Sequence, residues 1–248
     1  VVNVSLTVGH DVLGFSTTLI GFSCISFFAI PLGLLSRKGL GQRVAEENHD
    51  SGNGYRSGGL LFCGFVVGCA GSGLVMSTLG LVLKRVVGDD VGLLGLTIGV
   101  ASLNGLFLSV RWISDFFGAP VLGHVGDRLG RTRSTTLFFG IGTSVLVLAV
   151  TVESLTGIAT SVLLFFLCAV GLTTILMAEA AGRGSKTTAR YVTASDFGSA
   201  LGPTLGWTSQ QFVASTDLIF GMAAVLYGSG LLVSLCLNRP DKPVSSSS

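Results

Sequence analysis

The sequence predicts an all-α membrane protein whose helices cross the bilayer several times. Only 11% of its 248 residues are charged, whereas a soluble domain carries about 25%. The apolar residues also fall in blocks of about 20, the length of helix needed to cross a hydrocarbon layer of about 30 Å. A membrane β-barrel would need segments of about 10 residues that alternate apolar and polar side chains, and the sequence has no such period.

The apolar blocks predict seven membrane spans. The sixth is the weakest prediction, because it contains Asp196, Pro203, Thr204 and Ser209. Its small residues are typical of a helix that packs among other helices instead of facing lipid. The seven predicted spans cover residues 12–35, 59–83, 93–122, 135–152, 157–178, 191–209 and 218–237.

The basic residues predict how these spans are oriented. Twelve of the 15 fall in loops on one side of the bilayer, Lys84 and Arg85 fall on the other side, and Arg111 lies within a span. Cytoplasmic loops collect Lys and Arg, so we expect an outside N-terminus and a cytoplasmic C-terminus in a plasma or inner cell membrane. The twelve are Arg37, Lys38, Arg43, Arg56, Arg128, Arg131, Arg133, Arg183, Lys186, Arg190, Arg239 and Lys242.

The connections divide the chain into four parts. Residues 1–35 form an outside segment and one helix, and the polar, glycine-rich stretch 36–58 has the composition of a cytoplasmic linker. Residues 59–237 form a six-helix bundle, and 238–248 are a cytoplasmic tail. The chain opens without methionine, so we expect it to be a fragment that lacks its beginning.

A charged segment, GHVGDRLGRTR (123–133), separates the third and fourth predicted spans. It fits the pattern G-x-x-x-D-R-x-G-R, and the chain here resembles the major facilitator superfamily, in which this pattern joins the second and third helices of each half on the cytoplasmic side. The matching residues are Gly123, Asp127, Arg128, Gly130 and Arg131. The resemblance implies that the chain contains the sixth helix, the central loop and the C-terminal six helices of a twelve-helix transporter, with an N-terminal half missing.

The same segment suggests a cytoplasmic gate. Gly123 and Gly126 remove side chains where helices must approach closely, and the arginines, including Arg133, can pair with carboxylates near the membrane surface. Glu179 and Arg183 lie one turn apart at the cytoplasmic end of the fifth span. We expect Glu179 to pair with Arg131, and Asp127 with Arg183. The alternative is that the arginines only hold the loop in the cytoplasm.

A second match lies in the sixth span, in DFGSALGPTLG (196–206). It is similar to the glycine-and-proline helix at the fifth or eleventh position of the family. Gly198, Gly202 and Gly206 are spaced by four residues, so two helix backbones can approach closely, while Pro203 permits a bend. Tight packing alone is the alternative interpretation.

Three charged residues lie inside predicted spans. Arg111 is expected near the middle of the bilayer, where a charge costs at least about 2.5–3.5 kcal/mol and must face protein or water. Asp115 lies one turn further on and can neutralise it. Asp196 lies too deep for a free surface charge. All three are candidates for substrate binding or proton coupling. The structural alternatives are that Arg111 and Asp115 only neutralise each other or contact the missing half, and that Asp196 only caps the helix or braces the bend near Pro203.

The resemblance implies secondary transport of a small solute by alternating access, with proton coupling favoured by the intramembrane carboxylates. Drug or metabolite export and uptake are equally compatible with these residues. A non-transporting receptor or scaffold on the same fold is the alternative, and a membrane-embedded enzyme is a weaker one because no nucleophile and base cluster in the spans. We expect the lipid bilayer, the small-molecule substrate and the missing half as partners, and no nucleic acid, cofactor, metal or enzymatic activity.

Overall fold

The computed structural model describes residues 54–88, 90–93, 96–152, 154–213 and 215–237. The first predicted span (12–35), residues 36–53 of the predicted linker and the predicted tail (238–248) lie outside the described residues. The end of the predicted linker is helical, because the first described helix begins at Gly54.

The described residues are almost entirely helical. Helix α1 (Gly54–Val67) continues through a π-helical segment (Gly68–Val75) into α2 (Met76–Val87), so that one long helix changes its hydrogen-bond register in the middle. A short hairpin of β1 (Asp90–Leu93) and β2 (Leu96–Gly99) follows. The remaining helices are α3 (Val100–Leu129), α4 (Arg131–Thr151), α5 (Leu155–Gly182), α6 (Ser185–Phe212) and α7 (Thr216–Leu237).

Five stretches of the described chain are helical, long and apolar enough to cross a membrane. They are Ser57–Val87, Val100–Leu129, Arg131–Thr151, Leu155–Gly182 and Thr216–Leu237. Helix α6 contains the sixth predicted span; it is long enough to cross but is not among the five. The protein is therefore an integral membrane protein with a multi-pass helical bundle.

The start of the third predicted span is corrected by the hairpin. The prediction began that helix at residue 93, but Val91 pairs with Ile98 and Leu93 with Leu96 in an antiparallel ladder. Helix α3 begins only at Val100. A short apolar run is compatible with either a strand or a helix, so the hydropathy of residues 93–99 could not separate the two.

The charged segment 123–133 is also corrected, because most of it is helical rather than a loop. Helix α3 runs to Leu129 and α4 begins at Arg131, so only Gly130 separates them. Gly130 has a φ of 87°, a conformation that side chains disfavour and glycine adopts freely. The glycine thus permits a one-residue reversal between two long helices.

The core is built by pairs of neighbouring helices. Helix α4 packs extensively on α7 and α5, α3 packs on α5, and α6 packs on α1 and the π-helical segment. Between α4, α5 and α7 lies an aromatic cluster in which the Tyr227 ring stands 5.4 Å from Phe139 and 4.9 Å from Phe165. All three rings are fully buried.

Candidate functional site

Four charged residues meet at one end of the bundle, and we call them the gate cluster: Asp127, Arg131, Glu179 and Arg183. Arg131, in the first turn of α4, has its Nη1 atom 3.6 Å from Glu179 Oε2 on α5. The same Nη1 donates to the carbonyl oxygen of Ala178 at 3.2 Å. Arg183 donates through Nη2 to Glu179 Oε1 at 2.8 Å. One arginine therefore links the start of α4 to the end of α5.

The expected pair between Asp127 and Arg183 is not formed. Asp127 Oδ1 instead lies 3.7 Å from Arg131 Nε, and Arg183 pairs with Glu179. The physical reason is proximity, since Glu179 and Arg183 lie one turn apart on α5 and Asp127 and Arg131 flank the Gly130 reversal between α3 and α4. Asp127 is also the most exposed member of the cluster, at 69%. Glu179 is thus the carboxylate that both arginines share.

Two glycines of the segment lie where α3 approaches α5. A Cβ atom on Gly126 would stand 2.8 Å from Ile175 Cγ1, and one on Gly123 would stand 3.4 Å from Thr174 Cγ2. A larger residue at Gly126 would require the Ile175 side chain to shift. Arg128 and Arg133 are exposed and have no ion pair within the part of the chain that the structure describes.

The intramembrane charges on α3 form a local pair. Arg111 pairs with Asp115 one turn along the helix, and its guanidinium carbon lies 5.8 Å from the centre of the Phe166 ring on α5. The Arg111 side chain is 10% exposed and that of Asp115 is 34% exposed. The arginine is therefore enclosed within the bundle, while the carboxylate reaches its surface.

Asp196 lies on a different surface and is not brought near the Arg111–Asp115 pair. It is exposed on α6, together with Thr193, Thr204 and Thr208, and we call these four residues the polar stripe. It has no partner among the described residues. The polar stripe lies on the opposite side of α6 from the buried residues Gly198, Gly202 and Gly206.

The buried glycines of α6 make backbone contact with the long first helix. A Cβ atom on Gly198 would stand 2.2 Å from the carbonyl oxygen of Phe65, and one on Gly202 would stand 2.4 Å from both Cys69 O and Gly73 Cα. A Cβ atom on Gly206 would stand 2.7 Å from Thr78 Cγ2. Helix α6 continues through Pro203 without interruption.

Two features of this region escaped the sequence analysis. Gly68 and Gly73, on the long first helix, contact α6 from the other side of this interface. Their spacing within an apolar span was the sequence signal that could have indicated the contact. Arg85 also donates to the side-chain oxygen of Gln210, whose Nε2 donates to Ser215 O at 2.8 Å. Arg85 and Gln210 are 125 residues apart, so no sequence spacing indicates that contact.

Comparison with known proteins identifies the fold. No family model matches the chain. No curated protein matches it in sequence. The crystal structure of the human organic anion transporter MFSD10 (TETRAN) is similar, with a TM-score of 0.57 and 19% sequence identity. The match covers 76% of this chain and 48% of that transporter.

The chain shares its fold with part of a major facilitator superfamily transporter. At 19% identity the likeness concerns the fold alone. The chain spans about half the length of the transporter that it matches. Together with the five apolar helices, this similarity describes a nearly all-helical, multi-pass membrane bundle.

Proposed function

We propose that residues 59–237 form one six-helix unit of a secondary transporter that moves a small solute by alternating access. The observation that carries the proposal is the polar stripe on α6. Asp196 is an exposed carboxylate in the middle of a 28-residue helix of a membrane bundle. Because a charge facing lipid costs at least about 2.5–3.5 kcal/mol, this surface must face water or another protein unit.

A second helical unit, upstream in the complete protein, would cover that surface. The solute path would then lie between the two units near the middle of the bilayer, where transporters built from structural repeats place their sites. In this arrangement the long first helix and α6 move together, because their glycines hold the backbones in contact. These two helices therefore rock as one piece.

The gate cluster serves as a latch at the cytoplasmic end. Each of its ion pairs is partly exposed, and exposed pairs contribute only about 0–1 kcal/mol. A transporter must open and close both ends of its path at similar free energies. A few weak pairs at one end meet that requirement, since they can be broken and remade in every cycle.

The two intramembrane carboxylates are the proposed sites of proton coupling. Asp115 reaches the bundle surface beside the buried Arg111, and Asp196 lies on the exposed face of α6. A carboxylate that alternates between a charged and a neutral form can couple solute movement to a pH gradient. Asp115 already has Arg111 as its ion-pair partner, whereas Asp196 has no partner among the described residues, so we propose Asp196 as the residue that exchanges the proton.

The test uses full-length protein in liposomes with an imposed pH gradient. Because the structurally similar transporter is described as an organic anion transporter, the first probe is fluorescein, a fluorescent organic anion, followed by neutral solutes of similar size. We expect Asp196→Asn to abolish gradient-driven flux of a transported probe while exchange of the probe between equal concentrations continues. The matched control is Asp217→Asn, at the start of α7.

The two parts of the proposal fail in different ways. If the unmodified protein moves no probe in either assay, secondary transport itself is contradicted. If gradient-driven flux continues unchanged in Asp196→Asn and in Asp115→Asn, transport stands but proton coupling through these carboxylates does not.

A further inference from the structure

A cavity with both charged and apolar walls lies at the gate cluster, between α1, α4, α5 and α7. Its volume is about 160 Å³, and its lining includes Arg131, Arg183, Glu179 and Thr132. An engineered cavity of about 150 Å³ holds benzene, so this one has room for a phosphate ester with its neighbouring carbons. We call it the head cavity.

The arginines of the head cavity have donors left for a ligand. Arg131 makes one hydrogen bond, to Ala178 O, and its two ion pairs are longer than hydrogen bonds, at 3.6 and 3.7 Å. A guanidinium group carries five N–H donors. Two arginines and Glu179 leave one positive charge on the lining, which matches the single negative charge of a phosphodiester.

An apolar groove adjoins the head cavity on the outer surface of the bundle. It lies between α1 and α7, has a volume of about 530 Å³, and is lined by Gly58, Gly59, Phe62 and Leu232 among others. Leu237 lines both the groove and the head cavity. We call this surface the tail groove, since its apolar walls suit a hydrocarbon chain.

From this arrangement we infer that the basic end of the bundle binds one anionic phospholipid, with its phosphodiester in the head cavity and an acyl chain in the tail groove. Basic pockets between membrane helices commonly bind lipid headgroups. The charge of the head cavity selects the phosphodiester, and the adjoining groove selects a molecule that also carries a hydrocarbon tail. The binding of lipid does not depend on the proposed transport function, whereas its effect on the gate cluster rests on the latch proposed above.

Bound lipid would act directly on the gate cluster. A phosphodiester on Arg131 and Arg183 competes with Glu179 for the same guanidinium groups. The lipid would therefore loosen the contact between the start of α4 and the end of α5. The anionic lipid content of the membrane becomes a regulator of how easily this end of the bundle opens.

The experiment measures binding to delipidated full-length protein by native mass spectrometry. The probes are dioleoylphosphatidylglycerol, its headgroup alone as glycerophosphoglycerol, inorganic phosphate, and dioleoylglycerol, which carries tails without phosphate. We expect the phospholipid to bind much more tightly than the other three. Glycerophosphoglycerol or phosphate binding as tightly as the phospholipid would overturn the assignment to a lipid.

Two variants separate the head cavity from the tail groove. Arg131→Gln should weaken phospholipid binding about tenfold, the effect of losing one charge-assisted hydrogen bond. Gly58→Leu should also weaken it, because a Cβ atom at Gly58 meets no neighbour within 4 Å and the side chain extends into the groove. It should leave glycerophosphoglycerol binding unchanged.

Each variant has a matched control. Arg133→Gln removes an exposed arginine of the same helix turn that does not line the cavity, and Gly221→Leu fills open space elsewhere on α7. Both controls should bind the phospholipid like the unmodified protein. Equal binding by Arg131→Gln and Arg133→Gln would overturn the inference. If Arg131→Gln fails to fold, Arg131→Lys keeps the charge and loses the planar fork, and Gly58→Leu decides independently.

Discussion

The link between Arg131 on α4 and Glu179 on α5 makes a quantitative prediction. At their separation of 3.6 Å, two unit charges attract by about 1 kcal/mol in water and by about 4–5 kcal/mol at an effective dielectric constant of about 20. The side chains are 41% and 32% exposed, and measured values for exposed pairs are about 0.2–1 kcal/mol. We therefore expect a coupling free energy of about 1 kcal/mol.

A double-mutant cycle measures this coupling. The free energy of unfolding is determined in mixed micelles for the unmodified protein, Arg131→Gln, Glu179→Gln and the double variant. The double variant should lose about 1 kcal/mol less stability than the two single variants together, which exceeds the additivity error of about 0.3–0.5 kcal/mol. Raising the salt concentration should reduce the coupling, because mobile ions screen partly exposed charges.

A parallel cycle supplies the control. Arg133 is exposed and has no ion pair among the described residues, so Arg133→Gln and Glu179→Gln should be additive. If the Arg131 cycle is also additive within error, the ion pair does not hold the helix ends together. The gate cluster would then be a set of charges that only keeps this end of the bundle in the aqueous phase.

Three further predictions concern the interior of the bundle. Gly202→Val should abolish folding, because its Cβ atom would lie 2.4 Å from backbone atoms of the neighbouring helix. The control, Gly221→Val, meets open space and should retain the folded state. Size-exclusion chromatography measures both outcomes. Tyr227→Phe should leave the thermal midpoint unchanged or raise it slightly, because the buried hydroxyl has no hydrogen-bond partner among the described residues and an unsatisfied buried group costs about 1–3 kcal/mol. Asp115→Leu should destabilise the bundle by about 3–5 kcal/mol by leaving Arg111 buried without its partner, and adding Arg111→Leu should restore most of that loss in the same unfolding assay.

Hydropathy predicted which parts of the chain are membrane helices better than it predicted where those helices end. The third span was expected to end at residue 122, yet α3 continues to Leu129. Charged residues that leave the hydrocarbon layer keep their backbone hydrogen bonds, so a helix can extend beyond its apolar part. The positive φ of Gly130 marks the true boundary, and it depends on backbone geometry instead of hydropathy.

Local contacts of the candidate site were accessible from the sequence, whereas most distant ones were not. Arg111 and Asp115 are one turn apart on the same helix, so their spacing alone indicates a pair. The arginines of the gate cluster have two carboxylates within reach, and the choice between them depends on how α4 enters the bundle. The contact between Arg85 and Gln210 joins helix ends that approach only in the folded bundle.

Helix α6 connects the fold to the proposed function, because its packing determines which of its residues are exposed. Gly198 and Gly202 lie against the long first helix with no space for a side chain, so the rotation of α6 about its axis is fixed by packing. That rotation leaves Asp196, Phe197 and Leu201 exposed and directs Asp196 away from the bundle. Because a carboxylate cannot face lipid, the surface around Asp196 must face water or a second unit. The glycine contact therefore positions the carboxylate toward the proposed solute path, although no glycine of that contact would itself touch the solute.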